Sequence, residues 1–234
     1  GPSAEVTAAL PGTSHILISV PPDLEGDVVL RCHGADIAAL ESLVWVGYLS
    51  TVGVYGDWHG EWVDETSPTR PISERSLRRL QAEQAWLDFG RDSGRRVEIF
   101  RLSGIYGPGR SVIDNLRAGT AKRIVSPRHV FNRIHVDDIA RVVVAAIDTP
   151  TQHQIYNVSD DEPAPAEEVV AYAAELLGID PPPPISLEQA GLSRMAASFW
   201  AESKRVRNDR IKRELGIELL YPTYREGLRA LVAG

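Results

Sequence analysis

Four short apolar runs, separated by segments of helical period, constrain this chain more than any other feature. His15-Ile-Leu-Ile-Ser-Val20 is stopped by Pro21-Pro22 and reads as a fully buried strand. Residues 44–49, 96–102 and 154–158 read as three more. Between them, Glu74–Phe89 sets Leu77, Leu80, Gln84 and Leu87 on one stripe, with Ser73 as N-cap and Gly90 just past the end. Asp137–Asp148 repeats Ile139, Val142, Val143, Ala146 and Ile147 at helical spacing. Residues 165–177 begin on proline and stop at Gly178, and 208–215 stop at Gly216. Strands alternating with helices of about 10–15 residues imply βαβ units and a parallel sheet. Pro181-Pro-Pro-Pro184 is a stiff, extended connector toward the C-terminal segment.

Composition narrows the function classes. The 234 residues, 43% apolar, suffice for one large domain, or a domain with a small appendage. The net charge of -7 argues against a general nucleic-acid binder. Six basic residues within 204–213 read as a solvated face, because no aromatic residues interleave. The lone Cys32 forbids an internal disulfide, which fits a reducing, cytoplasmic setting. No apolar run approaches the ~18–20 residues that span a bilayer, so no membrane partner is expected. The six histidines show no metal-ligand spacing, so no metal is expected.

Five segments carry a resemblance. They are Ser50-Thr-Val-Gly-Val-Tyr-Gly56, Phe100-Arg-Leu-Ser-Gly-Ile-Tyr-Gly-Pro-Gly-Arg110, Asn132-Arg-Ile-His-Val-Asp-Asp-Ile-Ala140, Tyr156-Asn-Val-Ser-Asp-Asp-Glu-Pro163 and Arg210-Ile-Lys-Arg-Glu-Leu-Gly216. In this order they resemble the extended short-chain dehydrogenase/reductases, the NAD-dependent epimerase/dehydratase family. The resemblance implies an α/β, Rossmann-like parallel sheet with helices on both faces and NAD or NADP at the strands' carboxyl ends. It implies a Rossmann-like domain over 1–160 and 206–234. A small substrate lobe would be built from 161–205 with the loop 107–130. The expected activity is that of an oxidoreductase on a small carbonyl compound or nucleotide-sugar; the alternative is a catalytically inactive dinucleotide sensor or scaffold. A homodimer through the helix 74–89 is also expected, with Trp86 as its anchor.

Two features of that family are not found. No Gly-x-x-Gly-x-x-Gly turn occurs before residue 50, so the first strand–helix units are expected to be absent from this sequence. The family's Tyr-x-x-x-Lys pair, its acid/base and ribose holder, is replaced by Arg75 and Arg79. Arginine stays protonated and cannot shuttle a proton near neutral pH, but it can grip a phosphate or carboxylate.

The resemblance also places the remaining candidates. Ser50 and Thr51 would orient substrate, with Tyr55 or Tyr106 as substitute acid. Val20, Pro21, Pro22, Leu49, Arg79, Leu102, Ser103 and Ile105 would line the cofactor. Arg75, Tyr106, Arg110, Asn132, Arg133 and His135 would face the substrate. Trp58 and Trp62 lie near the expected ligand mouth, where they could stack on a ring or form a lid.

Overall fold

Residue alternation along the strands sets up two apolar layers. The computed structural model describes residues 3–127 and 129–233. In chain order the elements begin with α1 (Ala4–Ala9), β1 (His15–Ile18), α2 (Val28–Ala38), β2 (Trp45–Thr51) and a 3-10 turn (Val52–Tyr55). They continue with β3 (Trp62–Val63), α3 (Glu74–Ser93), β4 (Arg96–Leu102), β5 (Gly104–Tyr106), α4 (Val112–Arg117) and β6 (Arg123–Ile124). Then come β7 (Arg133–His135), α5 (Val136–Asp148), β8 (Ile155–Val158), α6 (Ala166–Leu177) and β9 (Pro184–Ile185). The last are α7 (Arg194–Phe199), β10 (Arg205–Val206), α8 (Asp209–Leu215) and α9 (Tyr224–Ala233).

Strands β1, β2, β4 and β8 pair in that order as one parallel sheet. Val46, Tyr48, Val97 and Ile99 face one side, where they bury Ile37 of α2 and Ala82 and Trp86 of α3. Trp45, Phe100, Leu102, Tyr156 and Val158 face the other, against α5 and α8. Burying each such large side chain contributes about 1.5–3 kcal/mol. The result is the Rossmann-like arrangement, a parallel sheet flanked by helices on both faces. A third apolar cluster joins Ile113 and Leu116 of α4, Val170 and Ala173 of α6, and Tyr224 and Leu228 of α9. The four-proline run leads into β9, which pairs with β6. No helix among the described residues is long and apolar enough to cross a membrane.

The structure corrects three local expectations. First, β1 is not fully buried: only Ile18 is, and Leu17 is 47% exposed, because β1 lies at the edge of the sheet. Second, α3 runs past Gly90 to Ser93 and is capped by Gly94 in the left-handed region. Gly90 is interior instead, where an added Cβ would come within 2.7 Å of Val97 Cγ2. Third, α3 buries Ser76, Ala82, Glu83, Trp86 and Gly90, while Leu77 is exposed. The leucine stripe misled because three polar side chains, Ser76, Arg79 and Glu83, lie on the inward side and are held there by hydrogen bonds. Trp86 is fully buried and cannot anchor a dimer.

Candidate active site

The carboxyl ends of β2 and β4 carry polar residues into an otherwise apolar region, and Ser50 and Arg101 there are both tied to Glu83. Arg101 on β4 and Glu83 on α3 form a buried ion pair, with Arg101 Nη2 donating to Glu83 Oε2 at 2.7 Å. Ser50 Oγ donates to Glu83 Oε1 at 2.5 Å, so the carboxylate fixes the serine at the end of β2. Arg101 also donates to the Tyr55 hydroxyl at 3.0 Å, and that hydroxyl donates to Asn157 Oδ1 at 2.7 Å. Burial pushes the Tyr55 phenol up to about 12, against the pull of Arg101. A fully paired network of this kind is rigid.

Beside this network lies a cavity of about 530 Å³. Ser19, Leu49, Ser50, Thr51, Leu102, Ser103, Gly104 and Ile105 form its floor, at the carboxyl ends of β1, β2 and β4. Open parallel sheets bind ligands at such an edge. Thr51 Oγ1 accepts from Gly53 N at 3.1 Å and spends no proton there, so its O–H can donate into the cavity. The Ser50 hydroxyl already donates its hydrogen bond to Glu83 and offers the cavity only lone pairs. Ser103 Oγ is buried and has no hydrogen-bond partner among the described residues. The walls bring Arg75 and Arg79 from α3, Arg110, Val130, Phe131 and Asn132, and Phe199, Glu202 and Lys204 from the C-terminal part. Arg79 Nη1 donates to Leu49 O at 2.8 Å and to the Tyr48 hydroxyl at 3.2 Å. Arg75 stacks over the Phe199 ring at 4.4 Å. Lys204 Nζ donates to Gly56 O at 2.8 Å and pairs with Glu202 at 2.7 Å. Burial lowers the Lys204 pKa, and the Glu202 carboxylate opposes the shift.

One cavity thus gathers Leu49, Ser50, Thr51, Arg75, Arg79, Leu102, Ser103, Ile105, Arg110 and Asn132. The other expected residues lie elsewhere. Tyr55 is fully buried in the ion-pair network and does not reach the cavity. Tyr106 packs edge-on against His135 at 5.2 Å, and burial holds its phenol far above the ordinary value. His135 is buried and caps α5, its Nδ1 accepting from Asp137 N at 3.2 Å. Arg133 donates to the backbone carbonyls of Phe131 and Ala164. Val20, Pro21 and Pro22 lie outside the lining, because β1 ends at Ile18 and only Ser19 reaches the cavity. Trp58 and Trp62 are also outside; Trp58 donates to Tyr55 O at 3.0 Å and Trp62 lies under Arg207.

Sequence reasoning missed Glu83, Arg101, Glu202 and Lys204. Arg101 had a signal: an arginine inside the apolar run Val97–Leu102 must be paired if the strand is buried. Lys204 had none. It sits in a basic run that reads as solvated, yet it is only 5% exposed.

Comparison with known proteins decides the family. The sequence model of the NAD dependent epimerase/dehydratase family matches residues 36–159. The chain belongs to this family. Similar family relatives include Protein YeeZ of Escherichia coli (strain K12), 31% identical over 189 residues, which are 80% of this chain and 62% of that protein. The chain therefore spans less than two thirds of that relative's length. A 3-diazoavenalumate denitrifying reductase of Streptomyces sp is 31% identical over 142 residues, 56% of this chain and 45% of that protein. Among solved structures, a functionally unknown conserved protein from Silicibacter pomeroyi DSS is 49% identical with a TM-score of 0.88. It is covered over 100% of this chain and 79% of its own.

Proposed function

We propose that this chain carries the substrate-facing and nicotinamide-facing part of an NAD(P)-dependent oxidoreductase of the epimerase/dehydratase family. Its substrate is a small carbonyl compound or nucleotide-sugar. The observation that carries this reading is the cavity at the carboxyl ends of β2 and β4, with the unpartnered Ser103 hydroxyl in its floor. Leu49, Leu102 and Ile105 offer apolar walls to a nicotinamide ring, and Ser103 offers a hydroxyl to its polar groups. These residues fit that end of a dinucleotide. No glycine-rich turn in the sequence is available to cradle its pyrophosphate. The bound cofactor supplies or accepts the hydride. Thr51 donates to the substrate oxygen, and Ser50, fixed by Glu83, sets the distance of the substrate from the sheet edge. We assign residues 161–205, with the segment 107–130 that carries α4 and β6, to the lobe that covers the cavity.

A second reading is favoured by Arg75 and Arg79. No tyrosine hydroxyl is among the residues lining the cavity, and arginine does not transfer protons near neutral pH. On this reading the protein binds a dinucleotide and a small ligand without turning them over. Calorimetric titration with NADH and NADPH, followed by a screen of aldehydes and ketones for cofactor consumption, separates the two. Micromolar binding, weakened by Ser103→Ala, supports a dinucleotide site. Turnover then selects the enzyme, and binding without turnover selects the sensor. A cooperatively folded chain that takes up neither nucleotide refutes both.

A further inference from the structure

The cavity lining is strongly cationic within an acidic protein. Arg75, Arg79, Arg110 and Lys204 line it against a single carboxylate, Glu202, and the chain as a whole carries -7. Lys204 and Glu202 satisfy one another at 2.7 Å. Among the described residues, no carboxylate lies within ion-pair distance of Arg75, Arg79 or Arg110. Three guanidinium groups therefore line one concave site without an ion-pair partner among the described residues.

The two helical arginines are also held ready. Arg79 spends one nitrogen on Leu49 O and Tyr48, which fixes the fork and leaves its Nε and second terminal nitrogen as donors. Arg75 lies over Phe199, a contact that uses the guanidinium face and leaves its N–H edge open. Planar, edge-donating guanidinium groups match the oxygens of carboxylates and phosphates.

We propose that Arg75, Arg79 and Arg110 form an oxyanion-binding set, and that the small molecule this cavity takes is an acid carrying carboxylate or phosphate groups. Arg75 and Arg79 hold one anionic group from α3, and Arg110 meets the ligand from the loop after β5. Phe131 and Phe199 cover its carbon skeleton. The inference rests on reading this cavity as the ligand site, but it requires no dinucleotide to be bound.

The test is calorimetric titration of the full chain at low ionic strength, without nucleotide. Succinate and inorganic pyrophosphate are the anionic probes, and succinamide is the neutral control. The expected result is saturable binding of at least one anion and none of succinamide. Arg75→Gln, Arg79→Gln and Arg110→Gln should each weaken binding by about tenfold or more, the loss of one charge-assisted contact. Arg78→Gln, on the same helix but outside the lining, should leave it unchanged. Tighter succinate binding assigns a carboxylate ligand, and tighter pyrophosphate binding assigns a phosphate. Thermal melts of each variant identify those that have lost the fold. The proposal is overturned if neither anion binds the folded wild-type chain, or if folded arginine variants bind as well as wild type. A chain that binds anions but not NADH keeps this proposal and removes the dinucleotide reading; the reverse result removes only this one.

Discussion

Replacing Arg101 by methionine should expose how much the buried network stabilises the site. The side chain is 5% exposed and that of Glu83 is 2% exposed, so the remaining carboxylate would stay in the core with only the Ser50 hydroxyl against it. Three contacts to Glu83, at 3.2, 3.2 and 2.7 Å, and one to Tyr55 would be lost. The two Nε contacts share one proton, so the pair amounts to about two good bonds. Breaking one side of a buried ion pair costs about 3–5 kcal/mol, most of it the uncompensated charge. That is a large share of the roughly 5–15 kcal/mol that separates folded from unfolded domains. For a chain of this size the melting temperature should fall by roughly 6–20 °C. Urea unfolding, read by fluorescence at pH 7.5, measures the change directly. The double variant Arg101→Met with Glu83→Leu removes both charges and should recover at least about 1.5 kcal/mol relative to the sum of the single changes. A loss below about 1 kcal/mol for Arg101→Met, or strict additivity in the cycle, would refute the claim that the pair is desolvated and coupled.

Other expectations are simpler. Tyr55→Phe should cost about 1–3 kcal/mol of stability through two lost buried hydrogen bonds, and should leave binding of NADH or succinate unchanged; a loss of binding in a folded variant would return Tyr55 to the site. Gly56 has φ of 71° and an added Cβ would overlap the Arg70 carbonyl, so Gly56→Ala should cost at least about 2 kcal/mol in urea unfolding. Burial holds the His135 pKa below 6.5, against the pull of Asp137 and Asp138. The unfolded chain then binds the proton more readily than the folded one, so this contribution is full above pH 6.5 and is lost as pH falls. His135→Asn keeps an N-cap and removes the titration. Its free energy of unfolding, from urea titrations, should therefore fall less than that of the wild type between pH 7.5 and 5.5, by up to about 1.4 kcal/mol.

The sheet was legible because each of its strands is a short apolar run with its own stop signal, and periodicity needs nothing more. The edges of elements were legible where glycine closes a helix, at Gly178 and Gly216, and illegible at Gly90, where glycine serves a close approach to Val97 instead. The inward face of α3 was misjudged because hydrophobic pattern cannot register polar residues that are buried and paired. Ser50, Thr51, Arg75 and Arg79 were found through their place in a motif. Tyr55 belongs to the same motif, but its direction is set by Arg101 and Asn157, which lie 46 and 102 residues away. Lys204 and Glu202 reach the cavity only through tertiary contacts, and nothing in their local sequence announces it.

Residues 203–208 return from far along the chain to bind the region around the cavity. Ser203 O accepts from Trp58 N and Gly60 N, Lys204 reaches Gly56, and Asn132 bonds the backbone on both sides of Arg205, at Lys204 O and Val206 N. These partners are separated by 72 to 148 residues in sequence. Closing loops of that length demands entropy that only later contacts recover, whereas the parallel pairing of β2 with β4 needs a shorter excursion. On this ground the sheet should form first and the cavity close last. Asn132→Ala should accordingly hasten unfolding and barely change the refolding rate, a difference that stopped-flow chevrons measure. On that outcome the walls of the site would open before its floor does.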